Sequence, residues 1–111
     1  MNFMEYQEES RKTAQYPRNL GLPYAALGLN GESGEVAEKV KKLIRDRGFT
    51  GGILPADVRA DIIRELGDVL WYLSAMCEEV GTTLEEVAKV NIVKLASRQN
   101  RNAIKGSGDN R

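Results

Sequence analysis

Glu35-x-x-Glu38 and Glu65-x-x-Asp68 set two pairs of carboxylates at one spacing, thirty positions apart. Their neighbours match as well: Val36, Val40 and Leu43 around the first pair correspond to Leu66, Leu70 and Leu73 around the second. Residues three apart on an α-helix share a face, with about 5–6 Å between Cβ atoms. Each acidic pair therefore flanks an apolar stripe. If the two stripes pack together, four carboxylates converge at a partly dry seam, where like charges need a cation to neutralise them. Oxygen ligands without histidine favour a hard divalent ion, Mg²⁺ first, with Mn²⁺ or Ca²⁺ as substitutes.

More charged positions follow the same geometry. Glu32 lies one turn before Glu35, and Asp61 one turn before Glu65. Two readings stand for Glu32: a further metal ligand, or a cap beside the irregularity at Gly31 and Gly34. Asn91, Lys94, Arg98 and Arg101 step by three and four along a later segment and flank Leu95. An acidic nest beside such a cationic strip suits a polyphosphate: a metal bridges phosphoryl oxygens while Lys and Arg take up the remaining charge. The competing reading is a solvated face. Glu38 with Lys42 at i,i+4 fits that reading, and Lys39 and Lys42 are best taken as solvated. Tyr72 falls on the acidic flank, where it would stack on a base or pack between helices.

Four helices must position these groups. The first is expected from Phe3 to Ala14, before Tyr16-Pro17, and the second from about Pro23 to Arg47, ended by Gly48. Gly31 and Gly34 weaken it by up to about 1 kcal/mol each relative to Ala. Pro55 opens the third, which Gly81 closes. Thr83-x-x-Glu86 reads as a capping box for the fourth, expected to reach about Asn102. Nothing alternates with a period of two, so no sheet is expected.

The expected core comprises Leu66, Val69, Leu70, Leu73, Met76, Cys77 and Val80 on the third helix, and Ala25, Leu29, Val36, Val40, Leu43 and Ile44 on the second. Leu84, Ala88, Ile92 and Leu95 join them from the fourth. Such stripes on short connections predict an all-α fold, an antiparallel bundle of about four helices. Residues 1–104 form one domain, and 105–111 a polar tail expected to be mobile when nothing is bound. Trp71 points away from the third helix's stripe. As an exposed tryptophan it predicts a partner surface, hence a homodimer or homotetramer.

Composition narrows the function classes. Sixteen basic residues balance sixteen acidic ones, so no net field favours nucleic acid or a membrane. Aromatic residues make up only 6% and do not interleave with the basic positions, which argues further against a nucleic-acid module. The absence of histidine excludes zinc proteases, Ser-His-Asp triads and Cys-His dyads. A lone Cys77 rules out an internal disulfide and reads as a small core residue. Residues 1–20 show no hydrophobic signal core, and no apolar run approaches about 18 residues, so a cytoplasmic location is expected.

Three segments taken together, Gly31-Glu32-Ser33-Gly34-Glu35-Val36-Ala37-Glu38, Glu65-Leu66-Gly67-Asp68-Val69-Leu70-Trp71-Tyr72-Leu73 and Asn91-Ile92-Val93-Lys94-Leu95-Ala96-Ser97-Arg98, resemble the MazG-like nucleotide pyrophosphohydrolases of the all-α NTP pyrophosphatase superfamily. The likeness covers roughly residues 24–101. It implies Mg²⁺-dependent cleavage of a nucleoside triphosphate between the α and β phosphates, giving the monophosphate and pyrophosphate. By that resemblance Glu35, Glu38, Glu65 and Asp68 hold the metal; the charges make Glu38 or Glu35 the expected base, since their helix brings the most acids. Asn91, Lys94 and Arg98 contact phosphates, and the helical domain dimerises, often into dimers of dimers, with sites near subunit contacts. The same acid layout serves phosphoribosyl-ATP and dUTP/dCTP pyrophosphohydrolases. A non-catalytic helical oligomerisation or metal-binding module is the alternative of a different class.

Overall fold

The computed structural model describes residues 1–111 and contains four α-helices and no strand: α1 (Phe3–Arg11), α2 (Gly21–Arg47), α3 (Ala56–Val80) and α4 (Leu84–Asn100). A single 3₁₀ turn, Arg18–Leu20, leads into α2. No helix is long and apolar enough to cross a membrane.

Local chemistry explains most of the boundaries. Asn2 caps α1 by accepting the Glu5 N–H at 2.8 Å. The helix stops short of the expected Ala14. The Thr13 hydroxyl bonds the Ser10 carbonyl, and Pro17 disfavours helical backbone at Tyr16 before it. Gly48 ends α2 and Gly81 ends α3, each with the positive φ (63° and 75°) that a helix C-terminus asks of glycine. Thr83 caps α4 through the Glu86 N–H at 3.1 Å, but the capping box is only half formed. The Glu86 carboxylate accepts instead from the Thr82 hydroxyl at 2.6 Å. Helix α2 runs unbroken through Gly31 and Gly34, where an added Cβ would meet open space.

The long pair α2 and α3 forms an antiparallel hairpin. Gly21 lies against Glu79, Gly28 against Tyr72, and at the far end Arg47 pairs with Asp57. A Cβ on Gly28 would overlap the Tyr72 ring, so this glycine sets how closely the helices approach. Ala25, Ala75, Ser74 and Cys77 are buried, and Tyr16, Tyr24, Trp71 and Tyr72 stack edge and face around them. Trp71 is thus not the exposed aromatic the helical pattern suggested. Its indole N–H donates to the Thr13 hydroxyl at 2.8 Å, and Tyr16 meets it edge-on, because the segment after α1 folds down over it.

Helix α4 breaks the expected bundle. It packs against α1 and α3 but not against α2, and the chain spreads to 44 × 43 × 28 Å. A radius of gyration of 17.0 Å exceeds the value of about 13 Å for a compact chain of this length. Several expected core positions therefore lie exposed: Val40 and Ile44 on α2, Leu66 and Val80 on α3, and Ile92 and Leu95 on α4. Their stripes are real, but no helix of the same chain covers them. The tail turns back along α4, and Asp109 reaches Lys94 and Arg98.

One buried polar side chain ties α1 to the α3–α4 corner. Gln7 donates to Glu78 Oε1 at 3.0 Å and to the Thr82 carbonyl at 3.2 Å, and accepts the Leu84 N–H at 2.9 Å. Gln7→Ala leaves these groups unpaired and should lower the free energy of unfolding by about 1–3 kcal/mol. Urea denaturation measures it, and an unchanged midpoint would show the corner to be held by packing alone.

Candidate active site

The antiparallel register decides which acids meet. Continuing along the pair from Gly28 opposite Tyr72, Glu32 arrives opposite Asp68, with Glu65 one turn along the same face of α3. Carboxylate oxygens of Glu32, Glu65 and Asp68 lie within 4.8 Å of one another. Glu32 and Glu65 are half-buried and Asp68 is exposed. Burial first, and then the charges of Asp68, Glu65 and Glu35, push the Glu32 carboxyl above its usual range. A single cation answers this crowding, Lys39, whose Nζ stands 3.7 Å from Glu65.

The remaining expected acids lie around this nucleus. Glu35 is solvent-exposed next to it and contributes to the field on Glu32. Glu38 is drawn to its own helix. Lys41 at 2.9 Å, through a hydrogen bond, and Lys42 at 3.6 Å hold its carboxyl below the usual range. Asp61 pairs with Arg64. Of the two readings open for Glu32, the structure supports a place among the acids: its side chain joins the cluster, and α2 passes Gly31 and Gly34 without needing a cap.

Beside the acids opens a shallow cleft of about 380 Å³ lined by Thr13, Glu32, Asp68, Trp71 and Tyr72. That volume is in the range of small-molecule sites. The cleft joins an acidic edge to an aromatic wall. Tyr72 packs on Gly28 and lies 6.5 Å from Tyr24, so its ring is held in the α2–α3 seam while still facing the cleft. Burial, and then Asp68, raises the Tyr6 hydroxyl above its ordinary value. Thr13 and Trp71 were not legible as site residues. The Trp71-Tyr72 pair directly after Glu65-x-x-Asp68 was the available signal for Trp71, and Thr13 offered none.

Asn91, Lys94 and Arg98 lie along α4, with Arg101 at its C-terminal cap, away from α2. Asn91 is exposed, and with Lys94 it lines a separate cleft of about 300 Å³ along with Thr82, Glu86, Val87 and Val90. Arg98 is buried (6% exposed) and Lys94 half-buried. Arg101 bonds Ser97 at 3.2 Å and the Arg111 main-chain oxygen at 2.8 Å. One chain thus presents the acids and the strip as two separate regions.

The donor set of the acidic cluster suits a hard divalent cation. It is all carboxylate, it is close enough for one ion, and its most buried members lack a full complement of positive partners. Glu32, Glu65 and Asp68 would hold such an ion at the edge of the cleft, with Glu35 adjacent.

Comparisons with known proteins identify the family. The MazG nucleotide pyrophosphohydrolase domain matches over residues 24–102, which spans α2 through α4. Gene 37 protein of Mycobacterium phage L5 is 42% identical over 112 residues, covering 96% of each chain. Uncharacterized protein YvdC of Bacillus subtilis is 32% identical over 79 residues, 68% of this chain and 74% of its own. No solved structure matches the chain. The domain match covers both acidic helices, the aromatic cleft wall on α3 and the cationic helix: the chain belongs to the MazG nucleotide pyrophosphohydrolase family.

Proposed function

We propose that the chain is a Mg²⁺-dependent pyrophosphohydrolase of cytoplasmic (deoxy)nucleoside triphosphates, releasing the nucleoside monophosphate and pyrophosphate. The observation that carries this reading is the crowding of Glu32, Glu65 and Asp68 at the mouth of an aromatic cleft, inside the matched family domain. Glu35, Glu38, Glu65 and Asp68 make up the ligand set, and the position of Glu32 supports adding it. Mn²⁺ is expected to substitute for Mg²⁺. Bound among these carboxylates, the ion would supply charge neutralisation to the phosphates and lower the pKa of a bound water.

The chain's own residues do the rest. Trp71 and Tyr72 offer flat faces to a base. Glu35, exposed and adjacent to the cluster, suits the removal of a proton from the attacking water. Glu38 serves if it leaves Lys41 and Lys42. Asn91, Lys94 and Arg98 offset charge on the departing pyrophosphate. In one chain α4 does not approach α2, while Val90, Ile92 and Val93 stay exposed. A homodimer or homotetramer accounts for both facts: a second copy covers those apolar residues and brings its own strip to the acids.

A nucleotide panel with and without Mg²⁺, scored for both products, tests the reaction. Orthophosphate in place of pyrophosphate would overturn α–β cleavage. Glu38→Gln should abolish turnover with helix content intact, and near-normal hydrolysis would remove Glu38 from the site.

The Glu32 carboxyl has a folded pKa above its unfolded value. Its ionised form therefore costs stability at neutral pH, and the cost fades as pH falls through the raised value. Glu32→Gln should accordingly raise the Tm of the metal-free protein at pH 7 and reduce the gain in Tm on adding Mg²⁺. Equal gains in both proteins would take Glu32 out of the metal's surroundings.

Co-assembly of Glu65→Gln with Lys94→Ala subunits tests the shared site. If acids and strip come from different copies, randomly mixed dimers should recover roughly a quarter of wild-type activity. No recovery would place both in one subunit.

A further inference from the structure

The Arg98 guanidinium is buried, yet both of its hydrogen bonds go to one residue of the tail. Nη2 donates to the Asp109 carbonyl at 2.6 Å and to Asp109 Oδ1 at 3.0 Å. The same Oδ1 accepts from Lys94 Nζ at 2.8 Å. One carboxylate oxygen thus bridges two cations spaced one helical turn apart, the arrangement a phosphoryl oxygen would adopt there. Asp109 itself is mostly exposed and nothing else holds its carboxylate. Its neighbours do anchor it: Arg111 donates to the Gly108 and Ile104 carbonyls at 2.6 and 3.0 Å, and Arg101 donates to the Arg111 main-chain oxygen. The tail is a closed loop that delivers an anion to Lys94 and Arg98.

We infer that Asp109 is a built-in competitor for the oxyanion face of α4, holding Lys94 and Arg98 until a phosphate displaces it. This rests on the reading of the strip as phosphate-binding, and it adds a device: the tail sets how much polyphosphate is needed to occupy the strip. An intramolecular competitor lowers apparent affinity by the fraction of molecules in which the strip is free. An exposed carboxylate opposing one half-buried and one buried cation makes that a modest factor. It acts on every ligand that brings phosphate to α4, whatever the base.

The probe is inorganic tripolyphosphate, titrated calorimetrically without Mg²⁺ into the full chain, so that neither turnover nor a base is required. Asp109→Asn keeps the Oδ1 acceptor but removes the charge, and should lower the Kd about two- to tenfold. Arg111→Ala removes the loop's two side-chain anchors while leaving Asp109 charged, and should shift the Kd in the same direction. Lys94→Ala should weaken binding in either background. An unchanged or higher Kd in both tail variants, with circular dichroism showing intact helices, would overturn the inference and leave the tail as a cap on α4. Failure of the pyrophosphohydrolase reading looks different: tripolyphosphate binds and responds to the tail variants, yet no nucleotide is hydrolysed.

Discussion

The close approach of α2 to α3 governs the rest of the molecule. Gly28 admits the Tyr72 ring where any side chain would collide with it. That contact belongs to the observed antiparallel register, and the register fixes which carboxylates face each other. A slide of one helical turn, about 5.4 Å, would exchange Glu32 for another residue of α2 opposite Asp68. The repulsion at Glu32, Glu65 and Asp68 is thus held in place by packing one to two turns away, around Ala25, Ser74 and Ala75. Buried residues lie toward both ends of the hairpin, Ala25 and Ala75 at one and Leu43 and Val58 at the other, with the charge crowding between them.

The second consequence is the cleft. Trp71 and Tyr72 follow directly after Asp68 on α3, so an aromatic wall adjoins the acids without a separate element to carry it. Tyr72 is wedged on Gly28, and Trp71 is held by Thr13 and Tyr16. The segment between α1 and α2 therefore has two tasks. It covers the core and fixes the orientation of the indole. Gln7 secures the other end of α1 at the corner where α4 departs.

That departure leaves a long apolar face on α4 uncovered, and the buried Arg98 finds its counter-charge only in the tail. On the reading proposed above, a second copy would cover this stripe. The strip and the acids, separated in one chain, would then meet across a subunit contact, and the tail would lie at that meeting point.

The helices, their caps at Gly48, Gly81 and Thr83, and the pairing of acids with apolar stripes were all legible in the sequence, because they depend on residues within a few turns of one another. Helical period also placed Asn91, Lys94 and Arg98 on one line. Register was not legible: spacing within each helix made Glu35 and Glu38 the natural partners of Glu65 and Asp68, whereas the antiparallel fit at Gly28 brings Glu32 into the cluster and leaves Glu38 to Lys41 and Lys42. Nor could helical period alone show that the first segment covers Trp71, or that the tail returns to α4. Those are contacts between residues far apart in the chain, decided by steric fit and by which charges find each other once the helices have packed. The sequence determined the parts and their chemistry; tertiary structure decided which carboxylates share a site and which cations already have a partner.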